Sequence, residues 1–173
     1  MQSISCTKAF RRVLYAIMKI RVLPRAFFEK IKGTPDEIEL LDNSKIISIN
    51  SSWGWDSEPP FSPALRRHAH LLVLNFDDVA QEPERPEDLG RLVMFSTEMA
   101  KRIRRFVDNG ALPLLVHCAA GISRSGAVGE VLNWYFNRYL TDNQTDYNDF
   151  IQNNRQILPN PLVRKIMMKV LTG

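Results

Sequence analysis

Cys118 and Arg124 are separated by five residues in the string His117-Cys118-Ala119-Ala120-Gly121-Ile122-Ser123-Arg124-Ser125. A thiolate is a strong nucleophile, and a guanidinium is a planar fork that grips two oxygens of a phosphate, which a lysine cannot do. Set side by side, they could pass a phosphoryl group onto sulfur. A free thiol titrates near ~8.5, so only a few per cent of it is nucleophilic at neutral pH. A helix N-terminus ringed by backbone N–H groups, with Arg124 close by, favours the thiolate form. Gly121 lets the backbone curl near a ligand without a Cβ in the way. Ser125 can donate its hydroxyl to the sulfur and ease departure of the thiolate. We expect His117 to brace the loop by hydrogen bonding, because a thiolate needs no base. Ala119, Ala120, Gly121, Ile122, Ser123 and Arg124 are expected to hold the phosphate.

Such a loop has to be positioned. Leu112 to Val116 reads as a short buried strand before it, and Ala127, Val128, Val131, Leu132, Tyr135 and Tyr139 recur at helical spacing after it. The plainer alternative is a Gly-Ser turn feeding a helix, with Cys118 as a small buried hydrophobe. The added His, Gly and two Ser residues, between strand and helix, weigh against it.

The string resembles the signature of the protein tyrosine phosphatase superfamily: His, Cys, five residues, Arg, then Ser or Thr. Its Ala-Gly-Ile-Ser interior is similar to the dual-specificity branch, and the pattern upstream to a bacterial-type branch of it. The resemblance implies a phosphocysteine intermediate at Cys118, with Arg124 holding the transferring group. No Lys lies within the loop, which weakens a phosphoinositide-directed reading. Arg155-Gln156-Ile157-Leu158-Pro159-Asn160 resembles the stretch that opens the last helix of dual-specificity phosphatases, where the Asn sits near the active-site loop. Asn160 followed by Pro161 is also good helix-capping chemistry in itself. A Gln usual a few residues later in the family is absent; Lys165-Ile166-Met167 stands in that region.

In the family an Asp protonates the leaving oxygen and then activates water. His70 to Phe76 reads as the strand before it, ending in Asp77-Asp78-Val79. Alignment with the bacterial branch favours Asp78 as the acid, with Asp77 as the alternative and Asp88, Glu82, Glu84 and Glu87 behind. One of the two neighbours could cap the turn while the other donates. The long interval from Asp78 to Cys118 implies an extended acid loop.

The 173 residues suit one domain with a sizeable core, and no repeat or low-complexity tract is present. The two cysteines are Cys6 and Cys118, which leaves no disulfide framework and points to a reducing compartment, expected to be cytoplasmic. His68, His70 and His117 have no partner cysteines or facing carboxylate pair, so no metal is expected, and no other cofactor. No run reaches the ~18–20 apolar residues of a membrane span. Lys8, Arg11 and Arg12 before Val13 to Met18 imitate an export signal, but Lys19 and Arg21 follow and no small-residue cleavage site is present, so export is rejected. Residues 1–17 are read as a basic amphipathic extension with an apolar stripe of Phe10, Val13, Leu14 and Ile17, which Met18 continues. Residues 1–32 carry Lys8, Arg11, Arg12, Lys19, Arg21, Arg25, Lys30 and Lys32 against Glu29 alone, and the chain total is +4, so residues 33–173 are slightly acidic. A basic lead could touch anionic lipid or nucleic acid, but a solvated helix face docked on the domain is the favoured reading.

Residues 18–173 are expected to form a single phosphatase-like catalytic domain. Its fold class is α/β, a central, mostly parallel, four- to five-stranded sheet with helices on both faces. Expected strands are Met18 to Leu23, Lys45 to Asn50, His70 to Phe76 and Leu112 to Val116. Expected helices run from Pro24 to Ile31, from about Glu87 to Val107, and over about 124–140, 146–155 and 160–171, with Asp108-Asn109-Gly110 ending the second. The active loop then lies at the carboxyl end of a strand, where such sheets bind ligands. Ser51 to Arg67 is irregular, and its Trp53-Gly54-Trp55 either walls the cleft or tucks against the core; Asp56 is a candidate second recognition group only by position. The expected substrate is a phosphorylated protein or peptide. Nucleotide, RNA 5′-end or phosphoinositide substrates, or a non-catalytic phosphate-binding adaptor, are the alternatives, and the oligomeric state stays open.

Overall fold

Leu114-Leu115-Val116-His117-Cys118 is buried at every position, which suits a strand at the centre of a sheet covered on both faces. The computed structural model, which describes residues 18–108 and 112–173, places it so. Strands β1 (Ile20–Pro24), β2 (Lys45–Asn50), β3 (Leu71–Asn75) and β4 (Leu114–Cys118) form one sheet in the order β1-β4-β2-β3. All three pairings are parallel. The helices are α1 (Arg25–Ile31), α2 (Pro35–Asn43), α3 (Thr97–Val107), α4 (Arg124–Trp134), α5 (Gln144–Asn153) and α6 (Pro161–Thr172), and Tyr135–Tyr139 prolongs α4 as a π turn. The larger core packs Val22, Ile47 and Val116 of the sheet against Ile103, Val128, Leu132, Phe150 and Val163 from α3 to α6. On the other face Phe28, Leu41 and Phe61 cover Ile46, Leu71 and Leu115.

The structure corrects several boundaries. The last strand starts at Leu114, not at 112, and runs on through Cys118. Pro113 precedes it without an N–H to donate, and its carbonyl accepts from Lys45 N. The helix expected from Glu87 starts only at Thr97: Ser96 Oγ accepts from Met99 N as its N-cap. Gly90 at φ +57 closes a short 3₁₀ turn over Pro86–Leu89, and the chain then runs non-helically to Ser96. Helix α2 was not anticipated, although Thr34 before Pro35, with Asp36 and Glu37 in the first turn, is a usable start signal. Strand β1 starts two residues later than expected and takes in Pro24, which was expected to open the helix, and β3 is one residue shorter at each end.

The amphipathic extension over residues 1–17, and Asn109 and Gly110 at the expected helix end, lie outside the described residues. Among those described, no helix is long and apolar enough to cross a membrane, and no three His, Cys, Asp or Glu side chains group as a metal site requires.

Candidate active site

Strand β4 ends at Cys118, and α4 begins at Arg124, so residues 119–123 must turn the chain through a tight arc above the sheet. The arc is set from outside. Ala119 O accepts from Arg25 N, Ile122 O from Leu158 N, and Ser123 O from both Asn160 N and Ala127 N. With those carbonyls bonded to their surroundings, the amides of residues 119–123 donate to no described residue. Such a nest, opening onto a helix N-terminus, is an anion cradle. Gly121 is required twice over. Its φ is +71, and a Cβ there would lie 2.7 Å from Leu23 C and 2.8 Å from Leu23 O and Pro24 N at the end of β1. Cys118 is a free, buried cysteine, and its Sγ lies 3.1 Å from Ser125 Oγ.

Arg124 is only 7% exposed, and its guanidinium is held from one side. Nη1 donates to Phe76 O at 2.8 Å and to Ser51 Oγ at 3.2 Å. Nη2 is 3.8 Å from Asp56 Oδ2, and Ser51 Oγ donates to that same carboxylate at 2.7 Å. Neither Nε nor Nη2 makes a hydrogen bond to the described residues, which leaves one edge of the fork for a ligand. Asp56, suggested in sequence by position alone, and Ser51, not suggested at all, are therefore its anchors. Arg25 was also missed. It donates to Glu29, Asn50 Oδ1 and Asp56 O, so a second buried guanidinium braces the same loop.

The two neighbouring aspartates have different surroundings. Asp77 is buried and accepts from Ser52 N, Ser52 Oγ and Val93 N. Burial works to raise its pKa, but these hydrogen bonds and the charge of Arg124 outweigh it and hold the carboxyl below its usual range. Asp78 is exposed. Its Oδ1 accepts from Ser123 Oγ and from Asn160 Nδ2, both at 2.7 Å, and its Oδ2 accepts from no described residue. Asn160 is a hub: Nδ2 also donates to Val79 O, while Oδ1 caps α6 by accepting from Leu162 N and Val163 N. The other carboxylates lie on the excursion over residues 79–92, where Glu82 pairs with Lys165, and Glu87 and Asp88 with Arg85.

No family model matches the chain, and neither does any curated protein. Solved structures do. The human tyrosine phosphatase-like serine/threonine/tyrosine-interacting protein superposes with a TM-score of 0.52 at 18% identity, over 87% of this chain and 89% of that one. The chain has a tyrosine-phosphatase-like fold. Tk-PTP in its active form aligns at 17% identity over 88% and 89% of the two chains with a TM-score of 0.46. PTPMT1 in complex with PI(5)P aligns at 11% over 88% and 90% with a TM-score of 0.44.

Within this tyrosine-phosphatase-like fold His117 is sealed beneath the loop, 0% exposed, with its ring 4.6 Å from that of Phe28. Asn50 Nδ2 donates to Ser48 Oγ, and that hydroxyl lies in hydrogen-bond contact with His117 Nε2 at 2.8 Å. Nδ1 on the other side of the ring meets no partner within hydrogen-bond geometry. Burial pushes the imidazole down to about 3; its backbone contact with Cys118 opposes this, and the charges of Arg25 and Arg124 reinforce it. Polar Ser48 and Asn50 set among Ile46, Ile47 and Ile49 of β2 were the only sequence sign of this network.

Below the unfolded value near ~6.5 the unfolded chain takes a proton that folded His117 refuses, so stability falls with pH by up to roughly 1.4 kcal/mol per unit. That loss extends down to about 3. Urea unfolding at pH 7.5, 6.5, 5.8 and 5.0 will show the decline, and His117→Gln will flatten it. Glu37 and Asp77, both held below their usual range, add their own losses only in stronger acid. Equal slopes for wild type and His117→Gln would remove His117 as the cause.

Proposed function

We propose that this chain hydrolyses phosphomonoesters through a phosphocysteine at Cys118, with a phosphorylated protein or peptide as substrate. The observation that carries it is the convergence of four groups on one loop: the Cys118 sulfur with Ser125 Oγ at 3.1 Å, the unbonded amides, the one-sided clamp of Arg124, and Asp78 at the loop's rim through Ser123. A binding-only adaptor needs no acid and no nucleophile, and here candidates for both stand with the arginine.

The steps balance. Cys118 thiolate attacks phosphorus in line, the S–P bond forms, and the P–O bond to the leaving group breaks while Asp78 gives that oxygen its proton. Arg124 and the loop amides bear the charge on the equatorial oxygens. Asp78, now ionised, takes a proton from water as the water attacks phosphorus. The S–P bond breaks, and Ser125 donates to the departing thiolate. Asn160 holds Oδ1 of Asp78, so the mobile proton resides on Oδ2.

Asp78→Asn with a good aryl leaving group tests this in one experiment. Phosphorylation of sulfur needs little acid there, but hydrolysis has lost its base. We expect kcat to fall about 10²-fold or more, and acid-quenched protein to carry phosphate on Cys118 by mass spectrometry. Asp77→Asn should show no such adduct and instead lose stability, because three donors lose their carboxylate. An adduct that builds up only in Asp77→Asn would move the acid to that residue. Turnover with no adduct in either variant would sink the covalent route.

A further inference from the structure

The loop that anchors Arg124 carries two indoles in solvent. Trp53 is 53% exposed and Trp55 76%. Gly54, at φ +95, reverses the chain between them, and Ser57 donates to Gly54 O through both N and Oγ to close the turn. The turn's base is fixed to the reaction centre: Ser51 and Asp56 hold Arg124, and Ser52 holds Asp77. The indoles therefore stand in register with the phosphate cradle.

They are held by different neighbours. Trp55 lies against the Arg25 guanidinium, 5.6 Å from the ring centre, and Arg25 N binds Ala119 O of the cradle. Trp53 lies against Arg91 at 5.1 Å. Arg91 leads into Leu92 and Val93, which are 42% and 39% exposed. Val93 is clipped to Asp77 by a reciprocal pair of hydrogen bonds, both 2.7 Å, beside the acid. Single exposed apolar residues are ordinary on a protein surface; several joined to one reaction centre mark a binding surface.

The geometry points to a substrate-reading rim, in which Trp53, Trp55, Leu92 and Val93 take the side chains flanking the phosphorylated residue of a peptide and favour large apolar ones. This rests on the phosphatase reading above and extends it to sequence preference. Rigid aromatic platforms gain contact area at little cost in conformational entropy, and cation–π packing against Arg25 and Arg91 holds both rings. A nucleobase could stack on the same rings. The neighbouring excursion, however, carries Glu82, Glu84, Glu87 and Asp88 against Arg85, Arg91 and the Lys165 that pairs with Glu82, and this small negative balance disfavours a polyanionic chain.

The test compares phosphotyrosyl peptides of one length, with Leu or Phe beside the phosphotyrosine or with Gly and Ser there, and a 5′-phosphorylated oligonucleotide. Wild type should prefer the apolar flanks by about ten-fold in kcat/KM, expressed in KM. In Trp53→Ala/Trp55→Ala that ratio should approach one, and exposed side chains can be removed without loss of the fold. A wild type without the preference, a double variant that keeps it, or a greater loss on the oligonucleotide than on peptide would overturn the rim. If wild type turned over no phosphoester, the catalytic reading would fall by itself. The rim would then be read by calorimetry with Cys118→Ser protein, which should bind the apolar-flanked peptide about ten-fold tighter; equal affinities would overturn it.

Discussion

Cys118→Ser will lower kcat on an aryl phosphate by at least about 10⁴-fold, the scale on which losing a covalent nucleophile acts. A thiol supplies some thiolate at neutral pH unaided, whereas a hydroxyl needs a base to take its proton. The surroundings offer none. His117, the nearest imidazole in sequence, is engaged through Nε2 with Ser48 and sealed in the core. The group facing Sγ is the Ser125 hydroxyl, which donates better than it accepts a proton. A hydroxyl at position 118 therefore stays inert. The cradle does not depend on the sulfur, since its amides and Arg124 are positioned by Arg25, Leu158, Asn160, Phe76 and Ser51. We accordingly expect phosphopeptide affinity to survive, so that calorimetry separates lost chemistry from lost folding. A variant that keeps more than a hundredth of wild-type turnover would show that the sulfur is not the nucleophile.

The parts of this site that were legible in the sequence are local. Cys118, Gly121, Arg124 and Ser125 belong to one stretch whose meaning lies in its spacing, and β2 was placed at its observed ends because Lys45 to Asn50 is bounded by clear breaks. Asn160 could be suspected because capping chemistry and the resemblance of its stretch to the last-helix start of dual-specificity phosphatases point to one residue, and its side chain both caps α6 and holds Asp78. What stayed hidden depends on long-range contacts. Ser51 and Arg124 are 73 residues apart and Ser48 and His117 are 69 apart, and no periodicity connects such pairs. The helix expected from Glu87 failed for a related reason. Its apolar spacing was real, but Asp77 captures Val93 N and Phe95 is buried against Phe76, so tertiary bonds took residues that the pattern alone assigned to a turn of helix.

Arg124→Lys, a change that preserves charge, is expected to cost about 10³-fold in kcat/KM, comparable with removing a transition-state clamp elsewhere. The native guanidinium performs two jobs with separate atoms. Nη1 is committed to Phe76 O and Ser51, Nη2 faces Asp56, and the edge carrying Nε remains for phosphate oxygens. A lysine has a single nitrogen. If it stays with Phe76 O and Asp56, the substrate loses its bidentate partner; if it swings to the phosphate, the buried Asp56 carboxylate and the Phe76 carbonyl lose theirs. Either way KM should rise and kcat fall together, because the clamp acts on the bound phosphate and more strongly on the charge that builds on it in flight. Folding should suffer modestly, by about 1–3 kcal/mol, the range for leaving a buried polar group unsatisfied. Thermal unfolding and steady-state kinetics on the same preparation give both numbers. A lysine variant within ten-fold of wild type in kcat/KM would mean that positive charge suffices, and that the fork held by Ser51, Phe76 and Asp56 is not what the reaction uses.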